Sequence, residues 1–473
     1  MPARVIPSTS SHYYLLLFDE NGAERPEADG SLLSNTIAEV AGDGVTDVFI
    51  ASHGWKGDIP AAISQYNDWI PMMQGRSRDL ARAQALVPDF KPLTIGIHWP
   101  SLPWGVEAVG AALLSSEGDE FAAERELDSA GLVDLYSQRI ADTEVARRAL
   151  TVVVSAADDA GDYDVPTDSI DLSAEVDEAY QALFGEAGLQ SAGATAAPGS
   201  DQEGFSPVET AKEWAVAVGP EPVSGGVGKP GLLGGGSRVK AREIILAPAR
   251  QLSFWSMKHR ARVVGESGVH ELLIRLQQSA RPLRIHLMGH SFGCIVVSAA
   301  IAGPVAGGTL TQRLPRPVSS LFLVQGAMSL WSFAEVLPFP PTLPGYFRPV
   351  LDSNRLVAGP VVTTTSVHDH AVGRFFPIGA KLGRERLLDG NHFPEYGAIG
   401  AFGMQGGQPT VDHGILDADA EYGLDPGTDY NIDASRIIAK IKGAVGSHSD
   451  IAHPEIAHLF WQAAVSGILA DRN

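Results

Sequence analysis

The stretch RIHLMGHSFGCIVVSAA, residues 284–300, decides the fold of this chain. It begins with a short apolar run typical of a buried strand and ends with small apolar residues typical of the start of a buried helix. The pentapeptide GHSFG, residues 289–293, joins the two without an ordinary loop. The stretch therefore predicts an abrupt strand-to-helix turn with Ser291 at its apex.

Short apolar strands alternate with helices on both sides of this stretch. We predict further strands at residues 12–18, 46–52, 93–99, 318–329, 359–373 and 431–441, and helices at 270–278 and 454–469. This alternation is typical of an α/β fold with a mostly parallel central sheet flanked by helices. Functional groups in such folds gather at the carboxyl ends of the strands.

Most of the negative charge lies in one segment. Residues 105–205 contain 22 Asp or Glu and 4 Arg but no Lys, while the whole chain has a formal net charge of -21. Helical patterns occur within this segment, and Ser173 is the expected N-cap of one of them. A Gly- and Pro-rich stretch at 219–237 follows and is typical of a flexible connection.

These changes in composition divide the chain into three parts. Residues 1–104 and 239–473 are predicted to form the two parts of one α/β core. Residues 105–238 are predicted to form a large acidic, mainly helical insertion between them, which could act as a cap or lid.

Composition also excludes several classes of protein. The acidic balance disfavours nucleic acid as a partner, because phosphate binding needs clustered Lys and Arg. The single cysteine, Cys294, excludes an intrachain disulfide and a Cys-rich zinc site. The N-terminal stretch lacks the features of an export signal, and no apolar run reaches about 18 residues. We therefore expect a cytoplasmic protein without stable membrane insertion.

Gly289-x-Ser291-x-Gly293 fits the sharp turn called the nucleophile elbow. The nucleophile in such a turn has strained backbone angles that leave little room at the flanking positions, so glycine suits both. The turn lifts the hydroxyl above the sheet, and the following helix directs its N-terminal dipole at it. The alternative is a Gly-rich turn with an incidental serine, but the flanking strand and helix favour the elbow.

With this elbow and with His53-Gly54 after the 46–52 strand, the chain resembles the α/β-hydrolase superfamily, and its serine esterases and lipases in particular. The resemblance covers residues 12–104 and 240–470. It implies the α/β-hydrolase fold, a triad in the chain order Ser, acid, His, and no metal or organic cofactor.

A serine hydroxyl is a weak nucleophile and needs a base, which a carboxylate orients. The resemblance implies that the acid is Asp369, which follows the strand VVTTTSVH. A carboxylate that only caps backbone amides at a strand end is the alternative. Asp352, Asp389 and Asp412 are less well situated, because none of them directly follows a convincing strand.

The base is expected on the loop between the last strand and the final helix. His448 is our candidate, since it lies in a Gly- and Ser-rich loop from which an imidazole can reach across the strand ends. His453 is the alternative base, although it precedes Pro454 and could cap the helix that begins there. His458 lies within that helix and is expected to be packed.

Acyl transfer also needs donors for the developing oxyanion, and loss of one such donor typically costs about 10²–10³ in rate. The resemblance implies that these donors are the backbone N–H groups of Trp55 and Phe292. The side chain of His53 is expected to brace the loop and not to take part in the chemistry.

The aromatic segment at residues 329–349 could line an apolar substrate pocket, or it could only pack its loop onto the sheet. We expect a serine hydrolase that cleaves a small, apolar carboxylic ester through an acyl-enzyme. Thioesterase, amidase, lactonase and acyltransferase activities use the same triad and remain open. A non-catalytic binding protein on the same scaffold is the alternative from another class.

Overall fold

A computed structural model of the chain describes residues 3–471, apart from residues 8, 56–58, 102–126, 162, 167–169, 190–204, 219–237, 280, 307–308, 339–342, 353, 376–392, 395, 408–409 and 443–444. The chain forms two compact units. The first unit comprises Met1–Glu120, Lys258–Arg374 and Gly397–Asn473, and the second comprises Phe121–Met257 and Phe375–Tyr396.

The described strands are β1 Arg4–Val5, β2 His12–Leu17, β3 Asp47–Ser52, β4 Pro92–His98, β5 Asp164–Pro166, β6 Arg238–Lys240, β7 Arg284–His290, β8 Val305–Ala306, β9 Thr309–Leu310, β10 Ser320–Val324, β11 Val361–Thr365, β12 Val411–Gly414 and β13 Asp429–Asp433. Nine of them form one sheet in the order β1-β2-β4-β3-β7-β10-β11-β13-β12. β1 pairs antiparallel with β2, and the other neighbours pair parallel. The prediction of an α/β chain with a mostly parallel sheet is confirmed.

Helices flank this sheet and also build the second unit. The described α-helices are α1 Leu33–Gly42, α2 Ile59–Gln74, α3 Ser77–Leu86, α4 Ser129–Arg139, α5 Glu144–Ala160, α6 Ala174–Glu186, α7 Pro207–Val218, α8 Ala241–Val264, α9 His270–Gln277, α10 Gly293–Ala302, α11 Ile399–Phe402 and α12 Pro454–Ala470. A π-helical turn, Gly265–Val269, joins α8 to α9. None of the helices in the described ranges is long and apolar enough to cross a membrane.

The strand predicted at 431–441 is wrong beyond Asp433, where β13 ends. The Asp433 side chain accepts the backbone N–H of Ser435 at 2.9 Å, which is a local turn that competes with strand pairing. The N–H groups of Ile437 and Ile438 then donate to Ala434 O, so the chain continues as a turn and not as a strand. β10 also ends earlier than predicted, because Gln325 has a φ of 47°.

In the sheet, β3 and β4 stand in the reverse of their order along the chain, and this reversal opens a crevice. The chain passes from β3 to β4 on one side of β3 and later returns to β7 on the other side. Connections that leave neighbouring strands in opposite directions open a crevice at the carboxyl ends of those strands. The loops that follow Ser52 and His290 therefore meet at the same point of the sheet edge.

The closing helix α12 covers one face of the sheet. The Phe460 ring stacks on that of Phe322 with centroids 5.5 Å apart, and the Trp461 ring lies 5.1 Å from that of Phe49. All four side chains are at most 2% exposed. Burial of each such aromatic contributes about 1.5–3 kcal/mol, so α12 holds the strands that precede the predicted site.

The second unit has its own apolar core. The rings of Phe184 and Phe205 lie 5.0 Å apart, and Phe205 and Trp255 are 5.8 Å apart. The predicted cap at Ser173 is confirmed, because its side chain accepts the Val176 N–H at the start of α6. This unit overlaps the segment 105–238 that we predicted as an insertion and continues to Met257.

Candidate active site

Ser291 occupies the turn between β7 and α10. Its φ of 56° lies in the left-handed region, which a residue with a side chain rarely adopts. A Cβ on Gly293 would lie 2.2 Å from Ser52 O, and a Cβ on Gly289 would lie 2.5 Å from Cys294 N. The two flanking glycines are therefore required by close contacts with β3 and with the start of α10.

The loop after β3 lies directly against this serine. A Cβ on Gly54 would lie 2.6 Å from the Ser291 Cβ and 3.1 Å from its Oγ. The ring of Trp55 lies 5.7 Å from that of Phe292. Trp55 and Phe292, whose amides were predicted as oxyanion donors, thus lie close to each other beside Ser291.

His53 braces this loop, as expected. Its Nδ1 lies 2.8 Å from Gly54 O, and its Nε2 accepts the Trp99 N–H at 3.3 Å. Burial lowers the pKa of His53 to about 4, so the ring is neutral and Nδ1 carries the hydrogen. In a planar trans peptide the N–H points away from the preceding carbonyl oxygen. By holding Gly54 O, His53 fixes the direction of the Trp55 N–H.

The structure brings Asp369 and His448 into direct contact. His448 Nδ1 donates to Asp369 Oδ2 at 2.7 Å. The side chain of Asp369 is fully buried and that of His448 is 13% exposed. The other carboxylate oxygen, Oδ1, accepts the Val372 N–H at 3.2 Å. The structure thus brings two of the predicted residues together across 79 positions of sequence.

Gln325 is a further partner of this carboxylate. Its Nε2 donates to Asp369 Oδ2 at 2.8 Å, and its own Oε1 accepts from Thr364 Oγ1 at 3.1 Å. Burial alone would raise the pKa of Asp369, but the charge of His448 and the hydrogen bonds from His448 and Gln325 hold it below its usual value. The carboxylate therefore stays ionised next to the imidazole.

The loops that carry Asp369 and His448 are joined by their backbones. Asp369 and Gly446 form an isolated antiparallel bridge, and the Ser447 N–H donates to His368 O at 2.9 Å. Gly446 has a φ of 67°, and a Cβ there would lie 2.2 Å from His368 O. Only glycine fits this left-handed, crowded position. The Asp369–His448 contact is thus built into the backbone of both loops.

The elbow is also bonded to the base loop. His290, which precedes Ser291, has its Nε2 2.9 Å from His448 O, and the two imidazole rings are 4.9 Å apart. Its Nδ1 lies 3.1 Å from Gln65 Nε2 in α2. Burial and the neighbouring His448 lower the pKa of His290 to about 3. Ser291, Asp369 and His448 thus lie on loops at one edge of the sheet.

The alternative base, His453, contacts a different carboxylate. His453 is the residue before the first turn of α12, where it makes no side-chain cap hydrogen bond. Its Nε2 lies 2.9 Å from Asp450 Oδ1. His458 is buried within α12 and contacts Asp79, as expected for a packed histidine.

The other candidate acids are also engaged away from the serine. Asp352 pairs with Arg348 at 2.6 Å. Asp412 lies in β12 and accepts from Asn431 Nδ2 at 3.0 Å. Asp389 lies outside the described residues.

The aromatic segment at 329–349 packs against itself. The rings of Phe333 and Phe347 lie 6.0 Å apart, and those of Tyr346 and Phe347 lie 5.0 Å apart. Trp331, Phe333 and Phe347 are buried. Phe339 lies outside the described residues. These contacts favour the packing interpretation of the segment over a pocket lining.

Sequence reasoning assigned no function to His290, Gln325 and Gln65. His290 is the first variable position of the elbow motif G-x-S-x-G. Gln325 follows β10 directly, so the rule that selected Asp369, a polar residue at a strand end, would also have selected it. Gln65 lies within α2, and no sequence pattern distinguishes it from other polar residues of a helix.

Within the described ranges, no group of three or more His, Cys, Asp or Glu residues could hold a metal ion. No family model, curated protein or solved structure matches the chain. Its function is therefore inferred from its residues and their geometry.

Proposed function

We propose that the chain is a serine hydrolase with an α/β-hydrolase fold that cleaves carboxylic esters. One observation carries this proposal. Ser291 stands at a strained turn beside Gly54, and the residue before it is hydrogen-bonded to the backbone of a histidine whose ring contacts a buried carboxylate. Nucleophile, base and acid are the three groups that covalent acyl transfer requires.

The topology supports the fold assignment. The central order β2-β4-β3-β7-β10-β11-β13 contains a single exchange, between β3 and β4. Serine follows β7, the carboxylate follows β11, and the histidine lies between β13 and the closing helix α12. This is the chain order Ser, acid, His that the resemblance implies.

The proposed reaction follows from these groups. Ser291 Oγ attacks the ester carbonyl while His448 Nε2 takes the hydroxyl proton. The imidazolium is stabilised through its Nδ1–H by Asp369, and it returns the proton to the departing alkoxide. Water then attacks the acyl-enzyme with the same histidine as base, which releases the carboxylic acid and restores the serine.

The oxyanion is stabilised by the backbone N–H groups of Trp55 and Phe292. Trp55 contributes a donor whose direction is held by His53 through Gly54 O. Phe292 is the N-cap residue of α10, so the positive end of that helix lies at the same point. Donors oriented before the reaction require no reorganisation when the charge develops.

A fluorophosphonate probe and p-nitrophenyl esters of several chain lengths test the proposal. The wild-type protein should be labelled once and should turn over at least one ester, and Ser291→Ala should abolish both. Ser298→Ala is the matched control, because it removes another buried serine hydroxyl, in α10, and should retain both.

A thioester and an amide measured beside the esters rank the acyl chemistry, which the triad alone does not select. A folded wild-type protein that neither labels nor turns over any of these compounds contradicts the proposal. That result favours a binding protein on the same scaffold.

A further inference from the structure

A chain of hydrogen bonds runs through the residue before the serine. Gln65 in α2 contacts His290 Nδ1 at 3.1 Å, and His290 Nε2 contacts His448 O at 2.9 Å. His290 is 5% exposed. The chain joins the helix that follows the oxyanion loop, the elbow, and the loop of the base.

The proton positions in this chain follow from its partners. A backbone carbonyl oxygen can only accept, so His290 Nε2 must carry a hydrogen and donate to His448 O. The Gln65 amide N–H can only donate, so His290 Nδ1 must offer its lone pair. A protonated imidazolium would direct a second N–H at the Gln65 amide. The geometry therefore favours one neutral tautomer, and the lowered pKa of His290 agrees with it.

His448 is consequently held at two points. Asp369 binds the Nδ1 of its ring, and His290 binds the carbonyl oxygen of its backbone. The first contact sets the rotation of the ring, and the second fixes the loop that carries it. Small displacements of a catalytic group reduce the rate strongly, because the reacting atoms must approach to about 3–3.5 Å.

We infer that His290 is a positioning residue for the base, acting as a neutral Nε2–H donor to the His448 backbone in a tautomer set by Gln65. This inference rests on the proposed function in that His448 is taken as the base. The hydrogen bond spans 158 positions of sequence. The variable residue of the elbow motif thus connects the nucleophile turn to the loop of the base.

Two variants of nearly equal size test the donor. His290→Gln offers an amide N–H near the position of Nε2, whereas His290→Met has a side chain of the same length without a donor. His290→Met should lower kcat about 5- to 100-fold, the effect of leaving one buried acceptor unsatisfied, with KM changed less than about threefold. His290→Gln should recover most of this loss. Gln65→Leu should give a smaller loss of kcat than His290→Met, because the His290 tautomer is then free to change.

A second readout is independent of turnover. The proton that His448 Nδ1 shares with Asp369 should give a low-field NMR signal in the wild-type protein. This signal should broaden or shift in His290→Met and persist in His290→Gln. If the wild-type protein hydrolyses nothing, the proposed function fails, but the NMR comparison still decides whether His290 holds His448 in position.

Three results would overturn the inference. The first is a His290→Met protein with wild-type kcat and an unchanged signal. The second is an equal loss in His290→Met and His290→Gln, since the donor would then not be what matters. The third applies if His290→Met fails to fold, because Gln65→Leu then decides alone. It is a Gln65→Leu protein with unchanged kcat and an unchanged signal.

Discussion

Among the described residues, two Asp–His pairs make the same contact, from the histidine Nδ1 to a carboxylate oxygen at 2.7 Å. His448 Nδ1 lies 2.7 Å from Asp369 Oδ2, and His458 Nδ1 lies 2.7 Å from Asp79 Oδ1. Their surroundings differ. His458 Nε2 faces Ala420 O at 2.6 Å. Both nitrogens of that ring therefore face oxygen atoms of the protein, and neither faces a hydroxyl group.

The two pairs also differ in what surrounds the carboxylate. Asp79 is also bound by Arg76 Nε at 2.9 Å, which makes it part of a closed ion-pair network between helices and a loop. The Asp369–His448 pair instead lies on two strand-end loops that are bonded to the elbow through His290. An Asp–His contact alone therefore does not indicate catalysis. What distinguishes the two pairs is their surroundings, the strained turn at Ser291 in one case and the Arg76 ion pair in the other.

Replacing each histidine gives the largest contrast. If the proposed function holds, His448→Ala should lower kcat by about 10⁴–10⁶, as removal of the triad base does in known serine hydrolases. His458→Ala should retain the kcat of the folded fraction, because that ring contacts no reacting group. Steady-state kinetics referred to active-site titration measures both effects.

His453→Ala should keep the wild-type kcat. A large loss in His453→Ala with little change in His448→Ala would show that the base assignment is wrong.

Replacing the carboxylate at the sheet edge should give a smaller loss. Asp369→Asn preserves the shape of the side chain but allows the wrong imidazole tautomer, and the expected decrease in kcat is about 10⁴. Circular dichroism should show a native fold, so the loss is catalytic. Activity within tenfold of wild type would mean that another group orients His448.

Replacing the other carboxylate should change stability and not kcat. Burial raises the pKa of Asp79, but hydrogen bonds and charges of His458 and Arg76 hold the net value below the usual range. Asp79 therefore stabilises the fold above its unfolded pKa, and this contribution is lost as the pH falls through the folded pKa. Asp79→Asn should lower the free energy of unfolding at pH 7 by about 3–5 kcal/mol, since it breaks a buried pair.

Urea unfolding at pH 7 and at pH 3 checks the sign of this effect. The difference between wild type and Asp79→Asn should shrink at the lower pH. A difference that is the same at both values would contradict the assigned role of the carboxylate.

The smallest effect is expected at Gln325, whose amide binds Asp369 in the proposed catalytic pair. Gln325→Leu removes one hydrogen bond to the charged oxygen of Asp369, a contact worth about 1.5–3 kcal/mol, so kcat should fall about 10- to 100-fold. Gln325→Glu is the informative companion, because it replaces the donor by a second carboxylate and should be at least as damaging. Unchanged kinetics in both variants would remove Gln325 from the site.

Local patterns, together with the resemblance to α/β-hydrolases, were enough to predict which strand-end residues lie together. The elbow, Asp369 and His448 each follow a recognisable strand or precede a recognisable helix, and parallel strands bring such positions to one edge. Contacts that depend on three-dimensional packing carry no such pattern. Gln65 contacts His290 only because α2 packs beside the elbow. Similarly, β13 ends at Asp433 because the side chain of Asp433 accepts the Ser435 N–H.

The pairing of β3 with β7 has a consequence for synthesis of the chain. Asp47 and Arg284 are register partners, and their side chains are joined across 237 positions of sequence. At about 5–20 residues per second, a ribosome needs about 10–50 s to add that length. Throughout this interval β7 has not yet been synthesised, so one edge of the apolar strand β3 has no strand to pair with. We expect chaperones to be engaged during this interval, before the crevice that holds the serine can form.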